Sequence, residues 1–250
     1  MQTHPLTGSL GAEITDLQLS QLSDSMFDDL CQTLWQHQVL VLRNQNLSIE
    51  NHRALGQRFG ELHFHPAFPG PEGFEEVLVI KNQGKANTIT EVWHSDVSCD
   101  ARPPSISILR ALDVPQYGGD TMWADQYRAW DTLSQAMQNM LRPLRAVHKN
   151  FDIESAHPVV RTHPETGRRA LYVNAGFTKH FEGMTVEESR PLLQFLVTHA
   201  SQPDLTMRHR WQSNDVVIWD NRCVMHFAIH DYGDSPREMQ RVTVRGEVPA

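Results

Sequence analysis

Five polar residues from distant parts of the chain carry its most visible chemistry: His94 and Asp96 in Trp93-His-Ser-Asp-Val97, His226 far downstream, then Arg237 and Arg241. Two imidazoles and a carboxylate suit ferrous iron, because three protein ligands on one face leave three coordination positions open for a co-substrate and oxygen. Two guanidinium groups add paired donors that grip carboxylates or sulfonates. On extended backbone, residues two or four apart project from one face, so His94 can act with Asp96, and Arg237 with Arg241. Alone the pattern is weak. With 14 His among 250 residues, a His-x-Asp is expected about once by chance, and solvated side chains on surface strands would read the same way.

The elements that must position these residues follow from periodicity. Leu22, Met26, Phe27, Leu30 and Leu34 recur at helical spacing between Gln21 and His37, and Ile49 to Phe59 gives a second helix after the cap Ser48. Val39 to Leu42 between them reads as a buried strand. From Val77 the texture becomes β, with short branched runs at Val77–Ile80, Ser105–Leu109, Ala170–Val173, Asp215–Trp219 and Arg241–Val244. Thr121 falls on a further strand after the Gly118-Gly119 turn. Two helices interrupt the strands: one from Asp125 to Leu141, and one opened by Thr185-Val-Glu-Glu188, which fits a capping box. The expected fold is α+β, one domain over residues 1–250 with a jelly-roll-like core and flanking helices.

Composition narrows the partners. A formal charge of -8 with scattered Lys and Arg offers no basic face to nucleic acid or an anionic membrane. Three cysteines, Cys31, Cys99 and Cys223, make no disulfide framework and fit a reducing compartment. No signal-peptide pattern opens the chain, and no apolar run approaches the roughly 18 residues of a membrane span. A cytoplasmic protein acting on small molecules is expected.

Several ordered blocks together resemble one family. They are His94-Ser-Asp96, Gly118-Gly-Asp-Thr-Met-Trp123, His157-Pro-Val-Val-Arg-Thr-His-Pro164, Trp219-Asp-Asn-Arg222 with His226, and Arg237-Glu-Met-Gln-Arg241-Val-Thr243. The chain is similar, from Leu6 to Gly246, to the taurine and 2,4-dichlorophenoxyacetate dioxygenase family of iron(II)- and 2-oxoglutarate-dependent oxygenases. That resemblance implies a double-stranded β-helix (jelly roll) with His94, Asp96 and His226 as iron ligands. It implies Fe(II), 2-oxoglutarate and O2 as cofactor and co-substrates, with Thr121 and Arg237 on the distal carboxylate of 2-oxoglutarate. Arg241 falls where the family binds the acidic group of its prime substrate. Homodimers or homotetramers are common in the family.

Within the family the likeness is greatest to taurine dioxygenases. It places His65 and Phe68, in Gly60-Glu-Leu-His-Phe-His-Pro-Ala-Phe68, and Phe177 in the substrate pocket, with Thr90 in place of an asparagine. The segment from His148 to His157 is brief where the family carries a long loop over the site. Phe151 is the candidate for that loop's aromatic, and a shortened lid leaves the site more open and argues against taurine itself. The expected reaction is hydroxylation of a small anionic organic acid next to its heteroatom, a taurine-like sulfonate first. An aryloxy or alkyl carboxylate, a sulfate ester and an amino acid are the alternatives. Two rival readings are a cupin-like zinc or manganese hydrolase or isomerase with the same ligands, and a non-enzymatic jelly-roll module that binds acids.

Overall fold

The computed structural model of the 250-residue chain describes residues 1–64, 70–82 and 91–250. The amino-terminal part pairs strands β1 (Gln2–Pro5) and β2 (Ala12–Thr15) and leads into helix α1 (Asp24–His37). The helix starts three residues inside the expected span. Ser23 accepts the backbone N–H of Met26 at 3.2 Å and so fixes the start, while Leu19–Gln21 form a separate 3-10 turn. β3 (Val39–Leu42) and α2 (Ile49–Phe59), capped by Ser48, take the expected positions.

β4 (Val77–Asn82), β5 (Pro104–Asp113) and β6 (Thr121–Asp125) follow. The single helix expected from Asp125 to Leu141 is two, α3 (Gln126–Asp131) and α4 (Gln135–Leu141). Ser134 caps a new start by accepting the N–H of Met137 at 3.3 Å, and the Thr132 hydroxyl closes the first helix on the carbonyl of Arg128 at 2.7 Å. Next come β7 (Arg145–Asn150), β8 (Ile153–Pro158), β9 (Val160–Thr162), β10 (Arg169–Leu171) and β11 (Thr178–Phe181). Helix α5 (Val186–Ala200) opens with the expected Thr185–Glu188 capping box, and β12 (Thr206–His209), β13 (Val216–Asp220), β14 (Val224–Ala228) and β15 (Arg237–Arg245) complete the order.

Seven strands form one sheet in the order β1-β2-β3-β13-β5-β15-β4, and a three-stranded sheet runs β12-β6-β14. Their facing sides share a core. Val39, Val41, Leu109, Val217, Trp219 and Met239 from the large sheet pack with Trp123, Met207 and Val224 from the small one. The alternate residues Leu40, Leu42, Ile106, Ile108, Val216 and Ile218 point the other way, onto Leu30, Leu34 and Leu55 of α1 and α2. The strands are buried on both faces, which is why they read in sequence as unbroken apolar runs. A third core joins Ala129 and Trp130 of α3 and Leu196 of α5 to Met225 of β14. No helix among the described residues is long and apolar enough to cross a membrane.

The β7–β8 hairpin corrects one expectation. The brief segment from His148 to His157 folds back through a tight turn at Phe151, with φ of 49°. Phe151 is 77% exposed at its tip and lines none of the described cavities, so it does not stand in for a pocket aromatic.

Candidate metal centre

The three proposed ligands meet through the backbone. His94 and His226 form an antiparallel bridge in which the N–H of His94 donates to the carbonyl of His226 at 3.0 Å and the N–H of His226 to that of His94 at 2.7 Å. His94 and Asp96 therefore do not lie on a long strand, as their spacing suggested. Residue 94 makes a single bridge, and Val97, at φ 45°, turns the chain just beyond Asp96. His226 sits on β14 opposite Trp123 of β6.

Metal-binding atoms of His94, Asp96 and His226 all lie within 4.8 Å of one another, and all three residues are buried. The surrounding bonds fix each donor. His94 Nδ1–H donates to the carbonyl of Val92 at 2.8 Å, so Nε2 carries the free lone pair. His226 Nδ1 has no partner among the described residues, and its Nε2 lies 3.8 Å from Asp96 Oδ1, beyond hydrogen-bond reach. Ser107 Oγ donates to Asp96 Oδ2 at 2.8 Å, and Arg241 Nη1 donates to Oδ1. Asn221 clamps the Asp96 backbone, accepting its N–H at 2.7 Å and donating to its carbonyl at 3.0 Å.

Protonation matches this geometry. Burial lowers the pKa of both imidazoles, more strongly at His226, so both stay neutral. Burial alone would raise the Asp96 carboxyl, but the Arg241 guanidinium and the Ser107 hydrogen bond outweigh it and hold Asp96 well below the usual carboxylate range. Two neutral imidazoles with open lone pairs and an ionised carboxylate fit a divalent iron ion.

A cavity runs from His226 past Thr121 to Arg237 and Arg241. The β15 register places Arg237, Met239 and Arg241 on one face, while Val242 and Val244 face the opposite way, Val244 within the helix-covered core. Arg237 is 7% exposed. It donates from Nε to the carbonyl of Gly119 at 3.2 Å, which leaves its terminal nitrogens for another partner. Trp211 Nε1–H donates to Thr121 Oγ1 at 2.9 Å, so the Thr121 hydroxyl proton remains available. Arg241 also borders a second cavity with His63, Glu76 and Thr243. Phe177 is buried beside His94, its ring edge-on to that imidazole with centroids 6.3 Å apart. His65, Phe68 and Thr90 lie outside the described residues.

His163, Asp220 and Cys223 form a second buried group of possible ligands. Its atoms are already engaged. Asp220 takes Arg222 Nε at 2.8 Å and Nη2 at 2.6 Å, and His163 Nε2 at 2.8 Å. His163 Nδ1 accepts the N–H groups of Glu165 and Thr166, both at 3.2 Å.

Ser107, Asn221 and Trp211 are the supporting residues that sequence reasoning missed. Ser107 had a faint signal, since a serine between Ile106 and Ile108 breaks an apolar run on the inward-facing side. Nothing in the sequence marks Trp211.

The chain is similar to known proteins over nearly its whole length. Residues 2–243 match the family described as taurine catabolism dioxygenase TauD, TfdA family. An alkylsulfatase of Acinetobacter baylyi is 34% identical, covering 99% of this chain and 86% of that protein. An alpha-ketoglutarate-dependent sulfate ester dioxygenase of Pseudomonas putida is also 34% identical, over 100% of this chain and 91% of its own. The crystal structure of a putative alpha-ketoglutarate-dependent taurine dioxygenase from Burkholderia xenovorans superposes with a TM-score of 0.93 at 37% identity, covering 100% of this chain and 94% of that one.

Proposed function

This chain belongs to the taurine catabolism dioxygenase TauD, TfdA family, and from that premise we propose that it hydroxylates a small sulfonate or sulfate ester next to the heteroatom. It is a 2-oxoglutarate-dependent oxidoreductase. In this reading residues 1–250 form one double-stranded β-helix domain that works in the cytoplasm, with His94, Asp96 and His226 holding the iron. Ferrous iron, 2-oxoglutarate and O2 supply the oxidative decarboxylation to succinate and CO2 that drives hydroxylation of the substrate carbon. The observation that carries the reading is the cavity joining His226 to Thr121, Arg237 and Arg241.

The chain's own residues select and hold the acids. Thr121, aimed by Trp211, and Arg237, aimed by Gly119, present a hydroxyl donor and a guanidinium to the distal carboxylate of 2-oxoglutarate. Arg241 borders both cavities, beside Asp96, where it can take an anionic substrate head. Orientation by these anchors decides which carbon reacts. A sulfate ester hydroxylated beside its oxygen collapses to sulfate and a carbonyl compound, and a sulfonate likewise releases sulfite. Both relatives named above for sulfate-group chemistry support that substrate class.

Two measurements test the proposal. Adding ferrous iron and 2-oxoglutarate without oxygen should give a weak visible charge-transfer absorption, and Arg237→Ala should weaken 2-oxoglutarate binding roughly 10- to 100-fold, as expected for a lost charged pair. Alkyl sulfates, alkanesulfonates, aryloxy acids and amino acids are then compared for succinate formation coupled to substrate loss. Coupling confined to carboxylates or amino acids would overturn the substrate class.

A further inference from the structure

His230 also lines the cavity that contains Thr121 and Arg237, on the loop after β14. Its orientation is built rather than incidental. Nδ1–H donates to Glu91 Oε1 at 2.9 Å, and the ring stacks on Tyr232 with centroids 4.5 Å apart and planes at 21°. Its Nε2 is buried and has no partner among the described residues. Leaving a buried polar atom unpaired is costly, so two contacts that fix it in a cavity wall point to a ligand.

Register places His230 along the cavity. His226 lies opposite Trp123 and Ala228 opposite Thr121, and the N–H of Ile229 continues the pairing by donating to the carbonyl of Asp120 at 2.9 Å. Residues 226, 228 and 230 then share a face, and at about 3.3 Å per residue His230 stands about 13 Å along the chain from the metal ligand, beyond the level of Thr121. Tyr232 packs toward Gly119, whose carbonyl holds Arg237, so the imidazole and the guanidinium belong to the same end of the cavity.

We propose that His230, aimed by Glu91 and Tyr232, is a third anchor for the distal carboxylate of 2-oxoglutarate. The proposal rests on the co-substrate reading of Thr121 and Arg237. Nε2 carries a proton when the carboxylate is bound and donates it in a hydrogen bond, with the Glu91 carboxylate offsetting the imidazolium charge. Glu91 therefore acts through His230, as a positioning residue.

The test compares 2-oxoglutarate with pyruvate, which has the 2-oxo acid but no distal carboxylate. Each is titrated anaerobically into the ferrous protein and followed by the charge-transfer absorption. His230→Phe should weaken 2-oxoglutarate about tenfold and leave pyruvate unchanged. Glu91→Gln should give a smaller loss in the same direction, and His230→Gln, which keeps a donor, should recover part of the affinity. Should His230→Phe fail to fold, the other two variants carry the comparison. Wild-type affinity for both ligands in all the folded His230 and Glu91 variants would overturn the inference. If Arg237→Ala still selectively loses 2-oxoglutarate in that case, the co-substrate reading survives without His230. A wild-type protein that gains nothing from the distal carboxylate would sink both.

Discussion

The β13–β14 segment contributes to two buried clusters built from the same residue types. His94, Asp96 and His226 bring together ligand atoms within 4.8 Å and keep imidazole nitrogens without a protein partner among the described residues, whereas in His163, Asp220 and Cys223 the protein satisfies the polar atoms itself. Burial would raise the Asp220 carboxyl, yet Arg222 and His163 hold it well below the usual carboxylate range, and burial pushes the Cys223 thiol well up. Neither a free carboxylate face nor a thiolate remains for an ion. Residue type thus proposes a metal site, and unspent lone pairs decide it.

That contrast can be broken by mutation. The largest effect is expected of Asp96→Ala, which should abolish both the charge-transfer absorption and succinate formation while the far-ultraviolet circular dichroism stays native. A variant that still turned over would remove Asp96 from the ligand set. Arg222→Ala should act on stability instead. It leaves the buried Asp220 charge without its bidentate partner, and urea unfolding should show a loss of about 3–5 kcal/mol. An unchanged unfolding midpoint would mean the closed cluster does no structural work.

Smaller effects sharpen the comparison. Ser107→Ala keeps every ligand but removes the donor to Asp96 Oδ2, so iron affinity measured by competition with a chelator should fall roughly 10- to 100-fold. The pH response should be smallest. Both ligand histidines have folded-state pKa values below 6.5. They are therefore neutral above that pH, and proton competition begins only as pH falls below it. Iron affinity should vary by no more than about twofold between pH 8 and 6.5. A tenfold loss over that window would show that an imidazole is charged in the folded protein.

Local signals were legible where one interaction decides the outcome. Ser48 with apolar spacing defined α2, Thr185 and Glu188 defined the start of α5, and strands buried on both faces announced themselves as apolar runs. Arg237 and Arg241 were readable because alternation along a strand is strict. What escaped depends on contacts between distant segments. The break between α3 and α4 turns on competing caps, Asn221 reaches Asp96 only in the folded chain, and Phe151 can be placed only once its hairpin is seen. The His94–Asp96 pair was found through a strand that proved to be a single bridge.

The reciprocal backbone bonds between His94 and His226 also bear on how the protein matures. During synthesis the first two ligands leave the ribosome long before β14 does, and the peptide groups that set the spacing of the two imidazoles do not meet until β14 has docked. A nascent chain therefore has two of the three candidate ligands and would hold iron weakly. Metal capture becomes a late event that reports completed topology, and a chain stalled before β14 would be spared from carrying a redox-active ion on an unfinished fold.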